Sequence, residues 1–164
     1  MKPLLKLILG LYFSLISIEG FAQGKNAVYG GLGFTEGGAS LGADYEYLGL
    51  SEFGVGGYAR MYSKDKDRSA AGVMAIGGFI RPHFNKKSWD MYMSPGFAIL
   101  QIDGTSKPPG DATTLGPSLA IGLMYDINAN VALGIENMRQ WVWFDDDYRG
   151  SLINDFMLRF RGSF

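Results

Sequence analysis

From Asn26 onward, apolar residues recur at every second position, the signature of a strand with one apolar face. The clearest case runs Leu115, Pro117, Leu119, Ile121, Leu123, Tyr125, Ile127, alternating with Gly116, Ser118, Ala120, Gly122, Met124 and Asp126. The last segment repeats the alternation with Phe156, Leu158, Phe160, Gly162 and Phe164 set against Asp155, Met157, Arg159, Arg161 and Ser163. Gly or Pro interrupts almost every window long enough for a helix. The same period predicts eight strands, at 26–35, 39–49, 51–63, 70–83, 88–102, 112–127, 130–144 and 149–164.

The breaks between runs differ in kind. Those at Leu48–Ser51, Phe84–Lys87 and Asp126–Asn130 are short, whereas Ser63–Arg68 and Asp103–Asp111 are longer and strongly polar. An even number of strands with tight turns at one end and long loops at the other fits a transmembrane barrel. The faces point the same way. A soluble barrel hides its bulky apolar face, but here the face opposite the bulky residues holds Gly, Ala and scattered charge, among them Gly31, Gly33, Gly42, Gly54, Gly56, Gly77, Gly96, Gly122 and Gly134. Such a sheet is inside out with respect to water. In lipid it must also close, because an open edge would leave backbone donors in hydrocarbon. The fold class expected is therefore all-β, an eight-stranded antiparallel up-and-down transmembrane barrel. Tyr45, Tyr47, Phe53, Trp89 and Tyr125 fall near the short turns, and Trp141 and Trp143 near the opposite rim, where aromatics would sit at the two headgroup layers.

With these residues the chain resembles the small eight-stranded outer-membrane β-barrel proteins of Gram-negative bacteria, of the OmpX, OmpA-barrel and OmpW-like kind. The most specific element is the C-terminus, where Phe156, Leu158, Phe160, Gly162 and the terminal Phe164 look like the signal read by the barrel-insertion machinery. The resemblance implies residence in the outer membrane among its lipid and lipopolysaccharide, with both barrel termini periplasmic and no cofactor.

The inward positions carry the charge. Glu46, Glu52, Arg81, Asp90, Arg159 and Arg161 lie near the short-turn ends of their strands, and Asp44, Arg60, Glu136 and Asp155 continue the set upward. Unpaired charges in a low-dielectric tube are very costly, so a salt-bridged layer plugging the lumen is expected. The alternative is a charged constriction that selects ions, but eight-stranded interiors are filled by side chains.

Two anomalies break the apolar parity. Pro95 and Pro117 lie on the outward face of neighbouring strands, where each removes a ladder donor; they mark either bulges or a lateral gap between strands five and six that would admit an apolar molecule. Asn137 and Arg139 interrupt strand seven and predict a bulge there.

Catalysis finds little support. Eight-stranded lipid A acylation and deacylation enzymes are serine-hydrolase-like and need a His near the outer rim, whereas the one His of this chain, His83, falls at a short-turn end with no Ser and Asp grouped around it. It is expected to be a rim or lumen residue bonded to a neighbouring acid. One His and no Cys cannot supply an ordinary nitrogen–sulfur zinc site. Asp145, Asp146 and Asp147, beside Tyr148 and Arg149, could bridge lipopolysaccharide through divalent cations, but such a run is more often solvated turn chemistry. Asp65, Lys66, Asp67 and Arg68 read the same way.

Composition adds two points. The formal net charge of -1 leaves no basic footprint for nucleic acid. At the N-terminus, Lys2 and Lys6, the apolar stretch Leu7–Ile18 and Gly20-Phe21-Ala22 read as a secretory signal peptide cleaved after Ala22, too short in its uncharged run to span a membrane. The organisation expected is a signal peptide at 1–22 and an outer-membrane barrel at 23–164. The expected role is structural or surface-interacting, without catalysis, a resident metal or a cofactor. The alternatives are a narrow porter for small apolar molecules and a soluble exported barrel that binds a ligand in its centre.

Overall fold

The computed structural model describes residues 25–36, 38–50, 53–63, 72–103, 111–144 and 152–164. The expected signal peptide, Glu52 and the charged segments around Asp65–Arg68 and Asp145–Arg149 lie outside them. The strands are β1 (Asn26–Thr35), β2 (Gly38–Leu50), β3 (Phe53–Tyr62), β4 (Gly72–Lys86), β5 (Trp89–Asp103), β6 (Ala112–Asp126), β7 (Val131–Trp141) and β8 (Leu152–Ser163). Each pairs with its neighbours in sequence, and β1 closes antiparallel on β8 from Ala27–Ser163 to Thr35–Asp155. No edge is left for lipid or for another chain.

The short connections and both strand termini Asn26 and Ser163 gather at one end. β4 runs on to Lys86, so the β4–β5 hairpin turns on Lys87 and Ser88, with Lys87 in the left-handed region at φ 58°. The β6–β7 turn is capped by Asn128, whose Oδ1 accepts from the backbone N–H of Asn130 and of Val131, each at 2.9 Å. At the other end, the β1–β2 connection at Glu36 is also short, which the division into long and short loops does not anticipate.

Side-chain direction follows the two-residue period without exception in the central strands. Leu32 (63% exposed), Ile121 (53%) and Leu158 (67%) point outward, as do Ile76, Ile99, Leu133 and Ile135. Arg60, Arg81, Arg159, Glu46 and Glu136 point inward and are fully buried. A wall of exposed Leu, Ile, Phe and Met around a charged interior has the solvent preference of a membrane-spanning barrel, and a soluble ligand-binding barrel is excluded by it. Rings of aromatics bound the wall: Trp89 and Tyr125 pack edge-on at 5.0 Å near the short turns, and Trp143 and Phe144 at 6.4 Å near the opposite end. Trp141 lies on the same face but is half-buried.

Inward glycines make room for long side chains. A Cβ on Gly31 would stand 2.9 Å from Cδ of Arg159, and one on Gly42 would stand 2.8 Å from Cδ of Arg60. The small inner face and the buried arginines are thus one design. Above the charged layer, toward the long-loop end, the lumen is filled by Tyr58, Tyr62, Phe79, Leu100, Ile102, Met138 and Val142, and below it by Ala27, Met124 and Ala132.

The ladders correct two expectations. β5 and β6 pair without interruption from Trp89–Tyr125 to Ile102–Ala112, through Pro95–Leu119 and Phe97–Pro117, so the lateral gap proposed there does not exist. A proline lacks its donor on one side only. Pro95 keeps register with β6, and the ladder that lapses is β4–β5, paired up to Phe79–Gly96 and resuming in the same register at His83–Tyr92. Pro82, in register with Phe53 on β3, lies opposite in the same lapse. Pro117 instead interrupts the β6–β7 ladder, whose continuous run reaches Ser118–Gln140; beyond it the Trp143 N–H donates to the Leu115 carbonyl at 3.2 Å in the same register, and between the two the Gln140 amide donates to the carbonyls of Gly116 (3.0 Å) and Pro117 (2.9 Å). The bulge expected at Asn137 and Arg139 is also absent. β7 keeps one register against β6 and one against β8 through both residues, because the Asn137 amide is satisfied across the strand by Asn154 Oδ1 at 2.9 Å and the Asp155 carbonyl at 3.1 Å.

These ladders give a first prediction. Pro95→Val restores a donor at the β4–β5 lapse, which no side-chain amide among the described residues fills, and should stabilise the barrel by about 1 kcal/mol; Pro117→Val, where Gln140 already serves the neighbouring carbonyls, should gain less. Urea unfolding from lipid vesicles measures both.

Candidate functional site

The chemistry of the molecule is concentrated in one layer inside the barrel, built by alternate residues of β2, β3, β4, β5, β7 and β8. Its hub is Asp44. One carboxylate oxygen pairs with Arg60 Nη1, and the other accepts from Arg81 Nη2 at 2.9 Å and Arg159 Nη2 at 2.6 Å. Glu136 forms the second anchor, 2.9 Å from Arg60 Nη2 and 3.8 Å from Arg159 Nε, with its other oxygen accepting from the Tyr92 hydroxyl at 2.7 Å. Glu46 takes the remaining arm of Arg81 at 2.9 Å.

Arg81 is the most enclosed of the cations in chemical terms. Its Nε donates to Ser94 Oγ at 2.6 Å, which bridges β4 and β5 inside the stretch where their backbone ladder lapses. Its guanidinium lies 4.1 Å from the ring centre of Phe79, 4.4 Å from Tyr92 and 4.6 Å from Tyr29. Such desolvated cation–π contacts add to the pairing, and the planar fork explains why arginine rather than lysine occupies this and the neighbouring positions.

A lower tier closes the short-turn mouth. His83 places Nδ1 2.9 Å from Asp90 Oδ1 and Nε2 2.9 Å from Glu46 Oε1. Arg161 reaches Asp90 and Asp126, each at 2.5 Å. Asp126 is partly open to solvent, so this tier is the wet edge of the network.

Of the positions singled out by charge and parity, Asp44, Glu46, Arg60, Arg81, Asp90, Glu136, Arg159 and Arg161 come together in these two tiers. Asp155 does not. It is buried and accepts from Ser40 Oγ at 2.5 Å, with no ion pair among the described residues, at the boundary of the upper apolar filling. The centre of the network also differs from expectation: Asp44, not the acids near the short turns, collects three arginines. The neutral partners Ser40, Tyr58, Tyr92, Ser94 and Gln140 went unnoticed because charge was the criterion. Each shares inward parity with a charged residue of its own strand, as Tyr92 and Ser94 do with Asp90, and that parity was the available signal.

Comparison of the structure with solved ones places it among small outer-membrane barrels. The N-terminal β-barrel domain of Pseudomonas aeruginosa OprF superposes with a TM-score of 0.65 at 13% identity, covering 83% of this chain and 96% of that one. Neisserial surface protein A gives 0.62 at 14%, covering 85% and 94%, and the outer membrane enzyme PagL 0.52 at 13%, covering 84% and 99%. This chain has the fold of the eight-stranded outer-membrane barrels. At such identities the likeness carries architecture alone, and a fold that accommodates both a surface protein and an enzyme leaves function to the site. No protein-family model matches the sequence, and no curated protein does.

The network yields a stability prediction. Arg81→Ala leaves Asp44 and Glu46 short of a cation in a dry interior and should cost about 3–5 kcal/mol. Arg161→Ala, at the solvated mouth, should cost clearly less. Equilibrium urea titrations of the refolded barrels compare the two directly.

Proposed function

We propose that the protein is an integral outer-membrane barrel with a structural or surface-interaction role in the cell envelope, closed to solute flow and without catalytic activity. The observation that carries this reading is the lumen itself. Arg60, Arg81 and Arg159 are buried to within 1% and are knitted across the barrel by Asp44 and Glu136, so the section is filled by paired side chains rather than water. Apolar side chains fill it again above and below. An ion-selective constriction needs charges facing a wet path, whereas these face one another.

The inverted faces and the fold support the location, and the N-terminal segment Lys2–Ala22 supports export. The same geometry speaks against a porter for apolar molecules: behind the lapsed β4–β5 ladder lies the Arg81 guanidinium, not an apolar chamber. It also speaks against hydrolysis. Both ring nitrogens of His83 are held by carboxylates, so neither is available to take a proton from a hydroxyl nucleophile. In a closed barrel the segments linking strands at the end away from the termini are the surface left to meet partners.

The test is reconstitution of the full barrel into liposomes and planar bilayers, with heat-modifiable gel mobility confirming that it is folded. The reading expects no increase in small-solute uptake and no discrete conductance. Steady single-channel currents from folded protein would contradict it.

A further inference from the structure

The unbroken register of β7 leaves Arg139 and Asn137 on the lipid-facing wall, with no bulge to turn them aside. Arg139 is exposed, and no ion pair holds it among the described residues. The other charged side chains on the outer face of the described strands, Lys86 and Asp103, are the last residues of β4 and β5. Arg139 instead stands among Leu119, its partner on β6, and Trp141 on its own strand. Across β8 its partner is Asn154, whose Oδ1 is occupied by Asn137 Nδ2 at 2.9 Å, leaving its own amide N–H groups to donate outward. A guanidinium and an amide thus face the same side of one seam.

Height decides what they face. Arg139 lies six residues above Leu133, near the short turns, and four below Trp143 of the opposite aromatic ring. A tilted strand climbs roughly 2.5 Å of membrane per residue. The Arg139 backbone is therefore about 10 Å beneath the ring at the long-loop end, a depth from which a long arginine side chain can snorkel toward that headgroup layer. An outward arginine is costly in the hydrocarbon and tolerated near the interface. One that sits beneath the interface and lacks a protein partner calls for an anion there, and a guanidinium beside an amide donor matches a phosphate.

We infer that Arg139 and Asn154 on the β7–β8 wall, braced by Asn137, bind a phosphate of a phosphorylated outer-leaflet glycolipid of the lipid A class. The inference rests on the outer-membrane reading above, which puts the long-loop end at the outer leaflet. Occupancy would fix one lipid molecule on the barrel as an annular partner and orient the adjoining rim.

The experiment uses the full barrel, folded in neutral detergent micelles, and native mass spectrometry to count bound molecules of bisphosphorylated lipid A, dephosphorylated lipid A and phosphatidylglycerol. Wild type should retain bisphosphorylated lipid A and discriminate against the other two. Arg139→Leu should weaken retention about ten-fold, while Gln101→Leu, an outward polar residue on β5, should leave it unchanged. Arg139→Gln, which keeps a polar chain of similar length, serves as the second variant should the leucine chain fail to fold. Equal retention by wild type and both Arg139 variants overturns the inference, and so does equal retention of phosphatidylglycerol. A wild-type dimer that Arg139→Leu dissociates overturns it as well, by assigning the surface to a second copy of the chain. Loss of heat-modifiable mobility in wild type would instead strike the membrane reading itself.

Discussion

One carboxylate shared by three guanidinium groups, deep in a tube whose outer wall is hydrocarbon-like, sets the terms for the rest of the molecule. Such a cluster survives only where its charges are matched, since each buried ion otherwise costs several kcal/mol. Asp44 is matched by Arg60, Arg81 and Arg159, and these in turn by Glu46 and Glu136. Tyr92 and Ser94 add neutral bonds, while the Nε–H groups of Arg60 and Arg159 stay buried without a hydrogen-bond partner. Glycine at positions 31 and 42 follows from it, because any side chain there would occupy the path of an arginine. The layer takes the middle of the lumen, so the large inward hydrophobic residues, Tyr58, Phe79, Leu100 and Met138 among them, pack above it, and the others take the outer face.

Much of this was legible in the sequence, and for a definite reason. A strand exposes its period directly, so Leu119, Ile121 and Leu123 against Ala120, Gly122 and Met124 reveal both the element and its faces. Strand starts and ends were less legible. Phe84 to Lys86 continue β4 although they read as turn, because Asn85 and Lys86 are poor strand formers held there by pairing with Asp90 and Trp89. The site was legible as a population of charges but not as a wiring diagram. Which acid meets which arginine depends on barrel stagger, which no single strand encodes, and this is how Asp155 came to be grouped with arginines it does not touch.

The prolines and the polar pair on β7 show the same limit from the other side. Parity correctly marked Pro95, Pro117, Asn137 and Arg139 as exceptions. What each exception does is decided by the neighbour its backbone faces, and that is a property of register. Pro95 and Pro82 weaken one seam from opposite strands, and the lumen closes it with the Arg81–Ser94 bond. Local irregularity in the wall is thus compensated from within by the charged layer, which makes the layer a brace as well as a plug.

The central claim is the orientation of the two faces, and the absence of native cysteine makes it directly measurable. Single cysteines placed at Leu32, Ile121 and Leu158 and labelled with an environment-sensitive fluorophore should be quenched by brominated acyl chains in reconstituted bilayers and shielded from a water-soluble quencher. Strong quenching from the aqueous phase, with none from the lipid, would contradict the account.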